Sequence, residues 1–381
     1  MKKKIVSIFS GIDCLGLGFR NEFDIILAVE KEKKACETLM KNREKFHPNL
    51  EVLNEDILSI PDNKIEEYRG VDGIIGGPPC QPFSSARGAF DPNETKIQCL
   101  FEYVRWVKII QPKFFMFENV KGLLEKTKLP IFEHFIELLE NLGYKIQFKL
   151  LNSHDYGSVQ KRERVIAVGF KEELDIDFKF PKPLTTKKLV KDIIVEGEDV
   201  GECAKYDAKK MEVVPHIPEG GNWRSLKTEE LLRKALLGNY EKRQGGMTGV
   251  YKRLDRNGHC PTLTTCPTQR NTMAIHPLED RPLSIKECKR AQGIPEDYEL
   301  VGSVSQKYKF IGNGVPVEMA SCISQSINEA ILKYEYMNKE ELSSTLDKNT
   351  VDNTDNEDTF YEYNLDEITT VSDNNQVMFT F

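Results

Sequence analysis

The sequence predicts an α/β protein: a mainly parallel, doubly wound, Rossmann-like sheet with helices on both faces, plus a smaller loop-rich second domain. Three observations predict it. Seven short apolar runs alternate with helix-period stretches through the first half of the chain. A glycine-rich turn follows directly on the first run, where open α/β sheets bind their ligands. Beyond about residue 183 the alternation stops, and glycine and polar clusters replace it.

The strand candidates are "KIVSIF" (4–9), "DIILAV" (24–29), "LEVLNED" (50–56), "VDGIIGG" (71–77), "KFFMFEN" (113–119), "YKIQFKLL" (144–151) and "RVIAVGF" (164–170). Between them "KEKKACETLMKNREKF", "LFEYVRWVKIIQ" and "PIFEHFIELLENLG" place apolar residues three and four apart, the helical period. Together these make a first domain over 1–183. Residues 184–276 carry "EGEDVGE", "PEGGNWRS" and "RQGGMTG" without a steady period and read as the second domain. In 277–337, "RPLSIKECKRAQGIP" predicts a helix stopped by Gly293 and Pro295, and "KYKFIGNGVPVEMASCISQSINEAILKY" is cleanly helical, a return to the first domain. There is no internal repeat.

Composition narrows the function. The chain of 381 residues, 39% hydrophobic and 30% charged, fits an ordinary globular protein. No apolar run approaches the roughly 18 residues of a membrane span, and the basic start "MKKKIVSIFSGI" lacks a signal-peptide core, so the reading is a cytoplasmic protein without membrane contact. Nine scattered cysteines, an odd number with no Cys-x-x-Cys pair, argue against a disulfide framework and against a zinc site. The net charge of −7 is uneven. Residues 338–381 hold eleven acidic side chains against Lys339 and Lys348, a tail of −9, which leaves 51 basic and 49 acidic residues elsewhere, a body of +2. That tail reads as disordered, with an acidic partner segment or DNA mimic as the alternative.

The first turn, "SIFSGIDCLGLGF", sets Gly11, Gly16 and Gly18 after the first strand. It is neither G-x-G-x-x-G nor a phosphate-binding loop. Glu30 ends the second strand, where an acid commonly takes ribose hydroxyls, and Asp56 ends the third, within reach of an adenine edge. A nucleoside cofactor without phosphate fits, and S-adenosyl-L-methionine meets that description. The alternative is a tight βα turn with two helix-capping acids.

In "VDGIIGGPPCQPFSS" two prolines fix the backbone just before Cys80, and a polar loop suited to a lid follows. A thiol at a strand's carboxyl end, near a helix N-terminus, has its thiolate favoured. The alternative is a buried cysteine.

"GGPPCQPFS", "FENV" (117–120) and "QKRER" (160–164), in that order, resemble the catalytic blocks of the C5-cytosine DNA methyltransferases. The first turn, Glu30, Asp56, "RPLSIKECKRAQGIP" and "YKFIGNGVPVEMA" extend the resemblance over residues 4–334. It implies S-adenosylmethionine as methyl donor, double-stranded DNA as substrate, and no metal. Cys80 is then the nucleophile that adds to cytosine C6, Glu118 the carboxyl group at N3, and Arg164 with Arg162 the cations facing the developing charge. Asn119 would brace the turn. The implied cofactor residues are Phe9, Ser10, Gly11, Ile12, Asp13, Cys14, Leu15, Glu30, Lys31, Asp56, Ile57, Pro78, Leu100, Asn313 and Val315. A base inside a duplex cannot reach such a thiol, so it must be flipped out, and the second domain becomes the reader. The implied DNA contacts are Gln81, Ser84, Ser85, Arg243, Gln244, Arg253, Arg256, Thr264, Thr265 and Arg270, with Thr262 to Thr265 at the DNA face.

Two departures stand out. Asp13 and Cys14 replace the last two glycines of the family's Phe-x-Gly-x-Gly-Gly, which sets an acid near the cofactor's carboxylate. The segment after Cys80 lacks the arginine often found there, with Lys96 available instead. The resulting expectation is a monomeric DNA cytosine-5 methyltransferase of the bacterial cytoplasm, protecting DNA from a restriction endonuclease that acts separately. A tRNA-methylating enzyme and a catalytically silent DNA-binding regulator of the same fold are the alternatives.

Overall fold

Every one of the seven apolar runs forms a strand. The computed structural model describes residues 2–79, 95–194, 200–236 and 249–348. In chain order the strands are β1 (Lys3–Ile8), β2 (Phe23–Val29), β3 (Glu51–Leu53), β4 (Gly73–Gly76), β5 (Phe114–Val120), β6 (Tyr144–Asn152) and β7 (Glu163–Lys171). They lie side by side as β3-β2-β1-β4-β5-β7-β6. Pairing is parallel from β3 through β5, whereas β7 runs antiparallel to both β5 and β6. Because of that reversal the carboxyl ends of β5 and β6 meet the start of β7: Val120 and Leu151 both pair with Arg164.

Helices α1 (Cys14–Phe19), α2 (Lys33–Phe46), α3 (Asp62–Glu66), α4 (Thr95–Ile110) and α5 (Leu129–Glu140) connect the strands. β4 is buried throughout, and β5 all but its last residue, since covered sheets need no polar face. Tyr103 and Trp106 of α4 and Phe132 and Phe135 of α5 pack on Phe115 and Phe117 of β5. Each such ring contributes about 1.5–3 kcal/mol by burial.

After β7 the structure changes character. A short helix α6 (Ala208–Met211) is followed by α7 (Glu229–Leu236), whose Ala235 and Leu236 join Val213, Trp223, Val250, Tyr251, Met273 and Ile275 in a small core of their own. α8 (Ile285–Gln292) begins with a reciprocal Ser284–Glu287 cap and ends at Gly293, whose φ of 71° only glycine adopts at little cost. The stretch 307–334, read as continuously helical, is two helices, α9 (Val304–Asn313) and α10 (Val317–Lys348). Pro316, with no N–H to donate, separates them. The turn also runs close over the start of α1, because a Cβ on Gly314 would sit 2.5 Å from Cys14 Sγ. One further core cluster joins α8 and α9 with Leu254, Cys260 and Leu263 and with Ile12, Cys14 and Leu17 of the first turn.

Residues Met1–Ala330 form one compact unit and Ile331–Phe381 another. Within the second, helix extends to Lys348, into the stretch assigned to the acidic tail. Among the described residues no helix is long and apolar enough to cross a membrane.

Candidate active site

The loop from β1 to α1 is held in an unusual shape. Phe9, Gly11 and Asp13 all have positive φ, between 54° and 56°. For Phe9 and Asp13 that is a strained conformation, kept because surrounding bonds impose it. Glu30, at the end of β2, supplies one of them: its carboxylate accepts from Gly11 N (2.9 Å) and from Glu32 N (2.7 Å). The carboxylate is therefore pre-oriented, with lone pairs left for two hydroxyls. A Cβ added to Gly11 would meet nothing within 4 Å, so the turn faces open space beside Glu30. Those two features fit a ribose-bearing cofactor. Asp56, at the end of β3, caps the short helical turn that contains buried Ile57, and its Oδ2 lies 3.4 Å from Lys31 Nζ.

Asp13 does not enter that space. It is 0% exposed. Its Oδ1 accepts from Ser7 Oγ (2.7 Å) and Gly16 N (3.1 Å), capping α1, while Oδ2 faces His47 Nε2 at 3.8 Å. Burial pushes the Asp13 carboxyl up and the His47 imidazole down, each toward its neutral form. Gly16 is glycine for the same reason, since a Cβ there would lie 1.8 Å from Asp13 Oδ2. Cys14 is buried beneath the Gly314 turn, and burial pushes its thiol up to about 12. The Asp13 side chain is therefore turned into the core rather than toward the open side of the turn. Phe9, Ser10 and Gly11 are half-buried at the loop. Ile12, Leu15, Pro78, Leu100 and Val315 are buried, and Lys31 and Asn313 are exposed.

At the end of β4 the backbone is pinned against β5. Glu118 Oε1 is 2.7 Å from Arg164 Nε, and both side chains are only 11% exposed. A Cβ on Gly77 would lie 2.4 Å from Glu118 Oε2, so only glycine lets this strand end approach the carboxylate. Asn119 Nδ2 donates to Pro78 O at 3.3 Å, and its Oδ1 accepts from Val120 N. The chain is held there two residues before Cys80. Cys80 itself, with Gln81, Ser84 and Ser85 of the following loop, Lys96 at the start of α4, and Arg243 and Gln244 of the second region, lies outside the residues whose side chains are described. Seven of the described cysteines, Cys14, Cys36, Cys99, Cys203, Cys260, Cys288 and Cys322, have thiols pushed up by burial, which suits small hydrophobes rather than nucleophiles.

The arginines of the second region divide sharply. Arg253, expected at DNA, is 4% exposed. Its Nε donates to Ile217 O, Nη1 to His276 O and Glu279 O, and Nη2 to Val214 O and Asp280 Oδ1. A guanidinium has five N–H donors, and all are spent inside the protein. It is a structural tie that cannot reach a base. Arg256 forms a surface pair with Glu219 (Nε to Oε1, 3.0 Å). Arg270 is half-buried and donates to Ala235 O. Thr265 is exposed, and Thr264 is half-buried beside Thr272. Arg162 is buried and donates to Leu263 O (3.1 Å), Gly312 O (2.8 Å) and Asn313 O (3.4 Å), bracing the segment behind Thr262–Thr265.

Sequence reading missed several buried polar residues that lie behind the site. Tyr298 Oη donates to Ile12 O at 2.9 Å and fixes the first turn from behind, and buried Gln160 and Gln292 meet at 2.8 Å. The available signal was position alone, since Gln160 opens "QKRER" and Gln292 precedes a helix-ending glycine.

Comparison with known proteins bears on this arrangement. Residues 3–329 match the family model described as C-5 cytosine-specific DNA methylase. The Type II methyltransferase M.PspPI of a Psychrobacter species is 38% identical over 337 residues, 85% of this chain and 78% of that protein. The Type II methyltransferase M.FnuDI of Fusobacterium nucleatum is 35% identical over 355 residues, 90% of this chain and 99% of that one. Among solved structures, a DNA modification methyltransferase encoded within an Escherichia coli prophage aligns with a TM-score of 0.64 at 25% identity, covering 87% of this chain and 99% of its own. Spodoptera frugiperda DNMT2, at 18% identity and a TM-score of 0.62, shares the fold.

Proposed function

The chain belongs to the C-5 cytosine-specific DNA methylases and is a DNA (cytosine-5-)-methyltransferase; from that premise we propose that it methylates a cytosine flipped out of a short, specific duplex sequence, through a covalent adduct to Cys80. The observation that carries this is the Glu118–Arg164 pair, buried at the end of β5 and packed against the Gly77–Pro78 backbone that leads into Cys80.

The residue roles follow from the chemistry. Cytosine C5 is a poor nucleophile. The Cys80 thiolate adds to C6, forming an S–C6 bond and moving the ring's electron pair toward C5 and N3. Glu118 meets N3 with a carboxyl proton or hydrogen bond, and Arg164 both orients that carboxylate and faces the charge spreading toward O2. S-Adenosylmethionine, when bound, supplies an electrophilic methyl group on a sulfonium. C5 would take that methyl as the methyl–sulfonium bond breaks and S-adenosylhomocysteine leaves. A base then takes the C5 proton, the C–H electron pair restores the C5–C6 double bond, and the S–C6 bond breaks to regenerate the Cys80 thiolate. Glu30 is oriented to hold the ribose hydroxyls, with the Gly11 turn facing the rest of the cofactor and Asp56 near the base. Residues 184–276, with their separate small core, serve as the reader of the flanking sequence, and Thr262–Thr265 lie at the DNA. The designation of relatives as Type II methyltransferases supports a modification role beside a separately acting restriction endonuclease; a cytoplasmic monomer is the remaining part of the proposal.

Transfer of labelled methyl from S-adenosylmethionine to duplex DNA and to tRNA tests the reading. Duplex DNA is expected to be the acceptor, and Glu118→Gln to lose about 100-fold or more in rate with the fold intact. Methylation of tRNA alone, or an unimpaired Glu118→Gln enzyme, contradicts it.

A further inference from the structure

Gln160 and Gln292 are both fully buried, yet neither belongs to the machinery described above. Their amides form a directed chain. Leu263 N donates to Gln160 Oε1 (2.9 Å), Gln160 Nε2 donates to Gln292 Oε1 (2.8 Å), and Gln292 Nε2 donates to Gly314 O (2.5 Å). A backbone N–H at one end can only donate, and a carbonyl at the other can only accept, so the orientation of both amides is set. Arg162 runs alongside, from Leu263 O to Gly312 O and Asn313 O.

The two ends of the chain belong to different jobs. Leu263 sits within Thr262–Thr265, whose next peptide lies against Gly312: a Cβ there would come 2.7 Å from Thr264 C. Gly314 covers Cys14, the first residue after the Gly11 turn. Both amides are 0% exposed and bonded at each end, so a shift of the Leu263 peptide is passed along the chain toward Gly314.

We propose that Gln160 and Gln292 are positioning residues, a buried amide relay through which DNA engaged at Thr262–Thr265 tightens cofactor binding at the Gly11 turn, and the reverse. The idea rests on the DNA and cofactor assignments made above. Coupling of this kind is reciprocal, so either ligand reports it. Replacing Gln292 with Met keeps the volume but removes the acceptor for Gln160 and the donor to Gly314 O. Replacing Gln160 with Met removes both bonds.

Calorimetry with S-adenosylhomocysteine, in the presence and absence of a duplex carrying the methylated motif, measures the linkage. For the intact chain the duplex is expected to tighten S-adenosylhomocysteine about ten-fold. In Gln292→Met and Gln160→Met the factor is expected to drop to within two-fold of unity, while each ligand alone binds within about three-fold of its original affinity. Circular dichroism establishes which variants are folded. A ten-fold factor retained in either folded variant overturns the proposal, as does an intact protein that binds both ligands independently. An intact protein that binds neither instead overturns the function it rests on.

Discussion

Arg253 shows how residue type misleads when burial is unknown. An arginine in a glycine-rich, basic stretch reads as a nucleic-acid contact, yet every donor of Arg253 is committed to carbonyls and a carboxylate of its own fold. Arg253→Ala leaves four carbonyls without that donor and is expected to cost about 3 kcal/mol or more in stability, read as a lower denaturant midpoint. An unchanged midpoint with selectively weakened DNA binding would return Arg253 to the DNA face. Glu118 and Arg164 went the other way. As lone residues they are a strand-end acid and a basic face, and the β5–β7 pairing turns them into a buried ion pair.

At the scale of elements the sequence was most readable where burial demands one pattern. Central strands covered on both faces, such as β4 and β5, must be apolar throughout, while the edge strands β3 and β6 kept enough apolar residues to stand out between helical stretches. The antiparallel turn of β7 left no such mark, because strand direction depends on the connection rather than on composition. The break between α9 and α10 did leave one, in Gly314 and Pro316, but the helical period of both flanks masked it. α8 carries its own test. Glu287 accepts from Ser284 N (2.7 Å) and from Arg281 Nη1 (2.7 Å), and lies 3.3 Å from His276 Nε2. Burial works to push its carboxyl up, but the bonds from His276, Arg281 and Ser284 outweigh it and hold it at about 2, below the ordinary 4.5. A depressed carboxyl stabilises the fold above its unfolded value and loses that contribution as pH falls through the folded one. Glu287 is thus expected to contribute on the order of 3 kcal/mol above pH 4.5, vanishing toward pH 2. Glu287→Gln should flatten the acid limb of unfolding free energy against pH, and an equally steep limb in the variant contradicts this.

For the molecule as a whole, the chemistry was legible before the architecture of recognition. The catalytic blocks are short and local, so their resemblance to the family's motifs singled out Cys80, Glu118 and Arg164; of these, Glu118 and Arg164 form a buried pair. The second region follows no period, and its contacts are set by long-range ties such as Gln160 to Leu263, which adjacency in sequence does not reveal. Asp13 stood between the two cases: its presence in the cofactor turn was plain, but only burial beside Ser7 and His47 showed that it faces inward. The central claim concerns what the whole enzyme does to DNA. Bisulfite sequencing of DNA from a methylation-deficient bacterium expressing this chain, beside the same host expressing Cys80→Ala, addresses it most directly. The account predicts one sharp short motif converted to 5-methylcytosine by the intact chain and left unmethylated by the variant. Equal methylation by both proteins, or none by an intact chain that is folded and binds DNA, would contradict it.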